Sequence, residues 1–146
     1  KRALVDGALA LMRSQMRVPV SASGDWMRDM EVILTEYRRI LVAHPNMMSL
    51  AGRRLGGDDE SGLDYLMSQG FDDGTAVELL QSLIAFVVGF SMFSTRHVET
   101  GEAGLAPAAG ARMAEWRDAT FAHTLRAIME SFEGRRLVRR PSPRSR

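Results

Sequence analysis

Residues 25–45 read DWMRDMEVILTEYRRILVAHP. Apolar side chains recur at Trp26, Met30, Ile33, Leu34, Tyr37, Ile40 and Leu41, the i, i+4, i+7, i+8 spacing of one helical face. Asp25 is suited to cap the first turn, and Pro45 stops the run because the residue before a proline avoids the α region. The segment therefore predicts a helix of about five turns. Its stripe is bulky and chemically mixed, with a soft thioether and polar-tipped aromatics where a packing helix would more often carry Leu and Ala. Such a stripe suits the wall of a cavity.

Working outward, helical periodicity continues and strand patterning does not occur. A first helix is expected from near Lys1 to about Val18, with Leu4, Ala8, Leu11 and Met12 on one side and Pro19 as its stop. Pro45 opens a short helix carrying Met47, Met48 and Leu50. A glycine- and aspartate-rich loop over 55–59 precedes another short helix over 61–69, with Leu63, Leu66 and Met67 inward and Gly70 ending it. Asp72 or Asp73 caps a long helix reaching about Glu99. That helix is apolar on nearly every side from Ala76 to Phe93, which requires a central position or a partner chain. Gly89 would allow close helix approach there, or would be a tolerated glycine costing about 1 kcal/mol. A Gly/Ala/Pro connector over 101–110 leads to a last helix over 111–133, with Trp116, Phe121, Leu125, Ile128 and Phe132 on its apolar side. The expectation is an all-α domain of about six helices over 1–134, followed by a basic, flexible tail over 135–146.

Composition narrows the function classes. The 146 residues suffice for one domain with a real core, and a net charge of +1 gives no bias toward nucleic acid or acidic substrates. The absence of Cys removes disulfides, thiolate nucleophiles and cysteine zinc sites, and fits a cytoplasmic protein. The apolar run from Leu79 to Phe93 is interrupted by Gln81, Ser82 and Ser91, so it reads as too short and too polar for a bilayer span. His44, His97 and His123 have no metal-ligand spacing, and neither a carboxylate pair nor a Ser-His-Asp arrangement can be specified. No catalytic group, metal or cofactor is expected. The ten methionines suit adaptable binding surfaces as well as irregular core gaps.

Four stretches, in order, carry a resemblance to a known family. KRALVDGAL at the start resembles the segment that follows the helix-turn-helix in TetR-family transcriptional regulators. Trp26 followed by YRRILVAHP at 37–45 matches that family's W…(F/Y)RR…LL…H pattern. SQGFDD at 68–73, leading into a long apolar helix, is similar to its Q-G-F and dimer helix. FAHTLRAIMESF at 121–132 resembles its closing motif. The chain thus resembles the C-terminal effector-binding and dimerisation domain of the tetracycline-repressor-like branch, shown here without the N-terminal helix-turn-helix.

The resemblance implies a homodimer whose N-terminal domains grip operator DNA until a small molecule enters the helical core, with the last two helices of each subunit forming a four-helix bundle. By position in the family motifs, Gln15, Ile33, Tyr37, Val77 and Leu80 would line the pocket. Together with the stripe chemistry, the candidate lining becomes Met12, Gln15 and Met16 on the first helix; Met30, Ile33 and Tyr37 on the second; and Met48, Leu66, Val77, Leu80 and Ile84 beyond it. Val87, Phe90, Phe93, Phe121, Leu125 and Ile128 are the candidate dimer contacts. Tetracycline binding in that branch uses a magnesium-ligating histidine on the short helix; the stretch 47–53 has none, so a more apolar effector is expected. Two other classes stay open: a small all-α enzyme acting on an apolar substrate, and a structural dimerisation module with a filled core.

Overall fold

The computed structural model describes residues 23–47, 60–100 and 107–137. Within them the chain forms four α-helices: α1 (Trp26–Ala43), α2 (Glu60–Ser68), α3 (Asp73–Thr100) and α4 (Pro107–Glu133). A single 3-10 turn, Pro45–Met47, follows α1. No strand occurs among the described residues, in keeping with the all-α expectation. The helix expected over 1–18, the loop over 55–59 and the continuation of the short helix beyond Met47 lie outside the described residues.

Local chemistry sets the ends of each helix. Asp25 sits in extended backbone, and its carboxylate accepts hydrogen bonds from the amides of Met27 and Arg28. Two of the donors that every helix N-terminus leaves open are thereby satisfied. At the other end the His44 amide donates to the carbonyls of Ile40 and Leu41, immediately before Pro45. α2 stops in a Schellman motif: the Gly70 amide donates to Met67 O and the Phe71 amide to Leu66 O. Gly70 takes φ +100°, a left-handed conformation that disfavours any side chain. Asp72 then caps α3, accepting from the Thr75 amide at 3.0 Å and the Thr75 hydroxyl at 2.7 Å.

α4 starts four residues before the expected position, at Pro107. Proline lacks an amide donor and holds a helical φ, so it suits the first helical position, and Ala108 and Ala109 extend the turn cheaply.

The core lies where α1, α3 and α4 meet. Trp26, Met30, Leu34, Tyr37, Ile40 and Leu41 of α1 face Leu79, Leu83 and Val87 of α3 and Phe121, Leu125 and Met129 of α4, with Leu66 of α2 and Phe71 closing one end. The rings of Trp26 and Phe71 meet edge to face at 5.0 Å, and Phe86, Phe90 and Phe121 form a second aromatic cluster with centroids about 5.5 Å apart. Arg38 of α1 lies over that cluster, its guanidinium 4.7 Å from the Phe121 ring centroid and 5.3 Å from that of Phe90. It also pairs with Asp118 of α4 at 2.7 Å.

Three expectations change. Met67 is exposed rather than inward, because Leu66 takes the deeply buried position among the described residues of α2. Trp116, read as part of the apolar side of α4, is 56 % exposed. The buried stripe runs Arg117, Phe121, Leu125, Met129, and residue 116 stands about 100° away from it. Finally, Asp73–Thr95 of α3 is long and apolar enough, by composition, to cross a membrane, which the shorter run Leu79–Phe93 had seemed to exclude. In this fold that helix supplies the core. Its polar residues are also satisfied locally, since the hydroxyls of Ser91, Ser94 and Thr95 donate to carbonyls one turn earlier.

Candidate functional site

Six of the eleven residues expected to line a ligand site lie in or against the buried core. Met30 and Tyr37 lie four and eleven residues after Trp26, on the same buried face of α1, while Ile33 flanks that face half-buried. Leu66 comes from α2, and Leu80 and Ile84 from successive turns of α3. Met30, Tyr37, Leu66, Leu80 and Ile84 all belong to one buried cluster, and Ile33 packs against it. Val77 is half-buried on the first turns of α3. Met12, Gln15, Met16 and Met48 lie outside the described residues.

The start of α1 is tied to α2 by a polar network that periodicity could not reveal. The Asp29 carboxylate accepts from the Ser23 amide at 3.0 Å and from the Tyr65 hydroxyl at 2.7 Å. The Ser23 and Tyr65 hydrogen bonds hold the Asp29 carboxyl below the usual carboxylate range. Tyr65 shifts the opposite way: burial first, then its bond to Asp29, pushes its hydroxyl well above the ordinary tyrosine value. The hydroxyl therefore stays a proton donor at any physiological pH.

Elsewhere α1 and α4 border an open polar groove whose walls include Asp25, Glu31, Glu36, Arg126 and Glu130. Arg126 pairs with Glu31 across it at 2.8 Å. None of the expected lining residues borders this groove. Among the described residues no three His, Asp or Glu side chains gather where a metal ion could be held.

The candidate dimer contacts separate into three groups. Val87, Phe121 and Leu125 are 0 %, 1 % and 0 % exposed within a single chain, so they belong to its own core. Phe90 and Ile128 pack half-buried at the margin of that core. Phe93 alone of the six stands well out, 49 % exposed. Met92 of α3 and Met113 and Trp116 of α4 are exposed as well, within about three turns of the α3–α4 connection. Among the described residues a Cβ built on Gly89 would meet nothing within 4 Å, so none of their contacts explains that glycine. Met92 was missed because α3 carries apolar residues on most sides, and Met113 and Trp116 because they sit beside the apolar stripe of α4 rather than on it.

Searches of curated proteins and of solved structures find no match to this chain. The family model described as "Tetracyclin repressor-like, C-terminal domain" matches residues 18–136, from before α1 through the last turn after α4. The four helices, their order and that match over most of the sequence together make this chain a member of the tetracyclin repressor-like C-terminal domain family.

Proposed function

We propose that a small, largely apolar effector binds among Met30, Ile33, Tyr37, Leu66, Val77, Leu80 and Ile84, with Met12, Gln15, Met16 and Met48 completing the lining. Its binding shifts a homodimer of the chain to a conformation with low operator affinity. The family supplies the coarser frame: a ligand-sensing regulatory domain of a TetR-family regulator, a fold that is not an enzyme fold, with DNA bound through an N-terminal domain. The finer reading is carried by one observation. Met30, Tyr37, Leu66, Leu80 and Ile84, from α1, α2 and α3, lie in the buried core, with Ile33 packed against it. A ligand that touches three helices at once can favour one arrangement of them over another, which is all that a population shift requires. Coupling of this kind is typically about 1–3 kcal/mol.

The homodimer reading rests on the apolar surface of α3 and α4. Met92, Phe93, Met113 and Trp116 expose large apolar side chains near one end of the hairpin, where a second copy would cover them.

The sensing reading is tested by heat stabilisation. A panel of apolar compounds is screened against the full chain, and any hit is repeated on Tyr37→Phe and Ile84→Ala. Ligand-induced stabilisation, measured relative to each variant's own melting point, should fall in both. Stabilisation of wild-type size in both variants would remove these residues from the site. Static light scattering at micromolar concentration tests the dimer, and a clean monomer would refute it.

A further inference from the structure

The chain does not leave the body where α4 ends. Glu133, the last residue of α4, accepts a hydrogen bond from Trp26 Nε1 at 2.7 Å through one carboxylate oxygen and pairs with Arg136 at 2.6 Å through the other. Arg135 turns toward α3, donating to Glu78 at 2.7 Å while its guanidinium lies 4.9 Å from the Phe132 ring centroid. Arg136 Nε donates to the Gln69 carbonyl at 3.0 Å, and the Leu137 amide donates to the Gly70 carbonyl at 2.7 Å. Residues 133–137 therefore join the start of α1, the corner between α2 and α3, and the first turns of α3.

The corner is built to receive this segment. Gln69 and Gly70 lie beyond the last turn of α2, so their carbonyls have no donor within the helix. The two donors come from Arg136 and Leu137 instead. A Cβ on Gly70 would stand 3.3 Å from the Leu137 carbonyl oxygen, so the approach is close as well as hydrogen-bonded. The attachment is nevertheless shallow. An open cleft borders Ser68, Gly70, Gly134 and Leu137, and the Leu137 side chain is 63 % exposed. Polar contacts, not apolar burial, hold the segment down.

We propose that residues 133–137 form a releasable strap that positions the α2–α3 corner, so that detaching it loosens α2 while the α1–α3–α4 core stays folded. Among the described residues, α2 meets the rest of the domain through Leu66, the half-buried Leu63 and Tyr65, and the Tyr65–Asp29 hydrogen bond, so the strap adds two contacts to a small set. Because Leu66 is one wall of the site proposed above, the strap would set the position of that wall. This consequence rests on that reading; the strap itself does not.

Hydrogen–deuterium exchange read by mass spectrometry on the full chain tests the proposal, using Leu137→Pro, Leu137→Ala and Arg136→Gln. Proline removes the amide that donates to Gly70, whereas alanine keeps it and trims only an exposed side chain. Leu137→Pro and Arg136→Gln should speed exchange over residues 62–71 by about three- to tenfold, the loss of one ordinary hydrogen bond, with residues 33–41 and 121–129 unchanged. Leu137→Ala should match wild type. The strap is overturned by unchanged exchange over 62–71 in both disruptive variants, by equal acceleration in all three segments, or by Leu137→Ala behaving like the proline variant. Binding of the apolar dye 1-anilinonaphthalene-8-sulfonate to the wild type and to Leu137→Pro reads the consequence separately. Faster α2 exchange with unchanged dye affinity would keep the strap and remove α2 from the ligand site.

Discussion

Replacing Trp116 with alanine should weaken the dimer and leave the fold of each chain nearly untouched. Trp116 is 56 % exposed in one chain, which is about 140 Å² of the roughly 250 Å² that an indole side chain can bury. Covering that area would contribute about 3.5 kcal/mol per subunit at about 25 cal/mol per Å². A two-fold interface uses the residue twice, while partial coverage and side-chain ordering take back about half, leaving about 3–4 kcal/mol per dimer. The dimer dissociation constant should therefore rise by about two to three orders of magnitude. Sedimentation equilibrium over a concentration series measures this directly. The two tryptophans also give an internal check, because Trp26 is 2 % exposed and hydrogen-bonded to Glu133. In a Trp26→Phe background Trp116 is the sole indole reporter, and its emission should move to shorter wavelength as concentration rises. An unchanged dissociation constant for Trp116→Ala, with no concentration-dependent emission shift, would place the interface elsewhere and refute the argument.

Three further outcomes follow from particular contacts. Phe121→Ala should destabilise each chain by about 3–5 kcal/mol in urea unfolding, because its ring is buried against Phe86 and Phe90 inside one subunit; loss of dimerisation with an intact monomer would contradict that. Gly89→Ala separates two roles. With solvent beside it the alanine would stabilise α3 by about 1 kcal/mol, whereas a closely packed partner helix would make the same change weaken dimerisation; the second result is expected, and tighter dimers would exclude close approach at Gly89. Acid should destabilise the domain through Asp29, Asp72 and Glu78. Hydrogen bonds to Asp29 from Ser23 and Tyr65 and to Asp72 from Thr75, and the pairing of Glu78 with Arg135, hold all three carboxyls below their ordinary values. A lowered folded-state pKa contributes stability that is complete above the unfolded value, near pH 4, and is lost as pH falls through the folded one. The urea midpoint should thus decline from about pH 4 downward, and the decline should be shallower in Asp29→Asn. An Asp29→Asn profile parallel to wild type would remove that contribution.

Much of the fold was legible because its signals are local. The Asp25 cap, the Pro45 stop and the Gly70 exit each act within a few residues, and each operates as the spacing implied. The periodic stripe of α1 placed seven residues on one face, and six of them are buried with Ile33 half-buried beside them, because a mixed helix leaves only one side apolar enough to bury. The early start of α4 was missed because Gly101–Gly110 is rich in Gly, Ala and Pro, a composition that fits a connector as well as a helix opening at Pro107. On the candidate site, the sequence brought together residues of α1, α2 and α3 only through motif position and stripe chemistry. Their buried convergence required the helices to be packed.

What the sequence determined by itself, then, is the all-α class, the helix ends marked by Asp25, Pro45 and Gly70, and the family's order of motifs, since these depend on residues that are neighbours along the chain. Tertiary structure decided which side of α3 and α4 is core. α3 carries apolar residues on most sides, and on α4 Trp116 lies beside the apolar stripe, so only the fit of Phe121, Leu125 and Val87 against α1 selects the inward face and leaves Met92, Phe93 and Trp116 outside. It also decided the fate of the residues after Gly134. Read alone, Arg135 and Arg136 are solvated basic residues. Packed, they find Glu78, Glu133 and the carbonyl of Gln69, partners between 3 and 67 residues away that no local pattern could name.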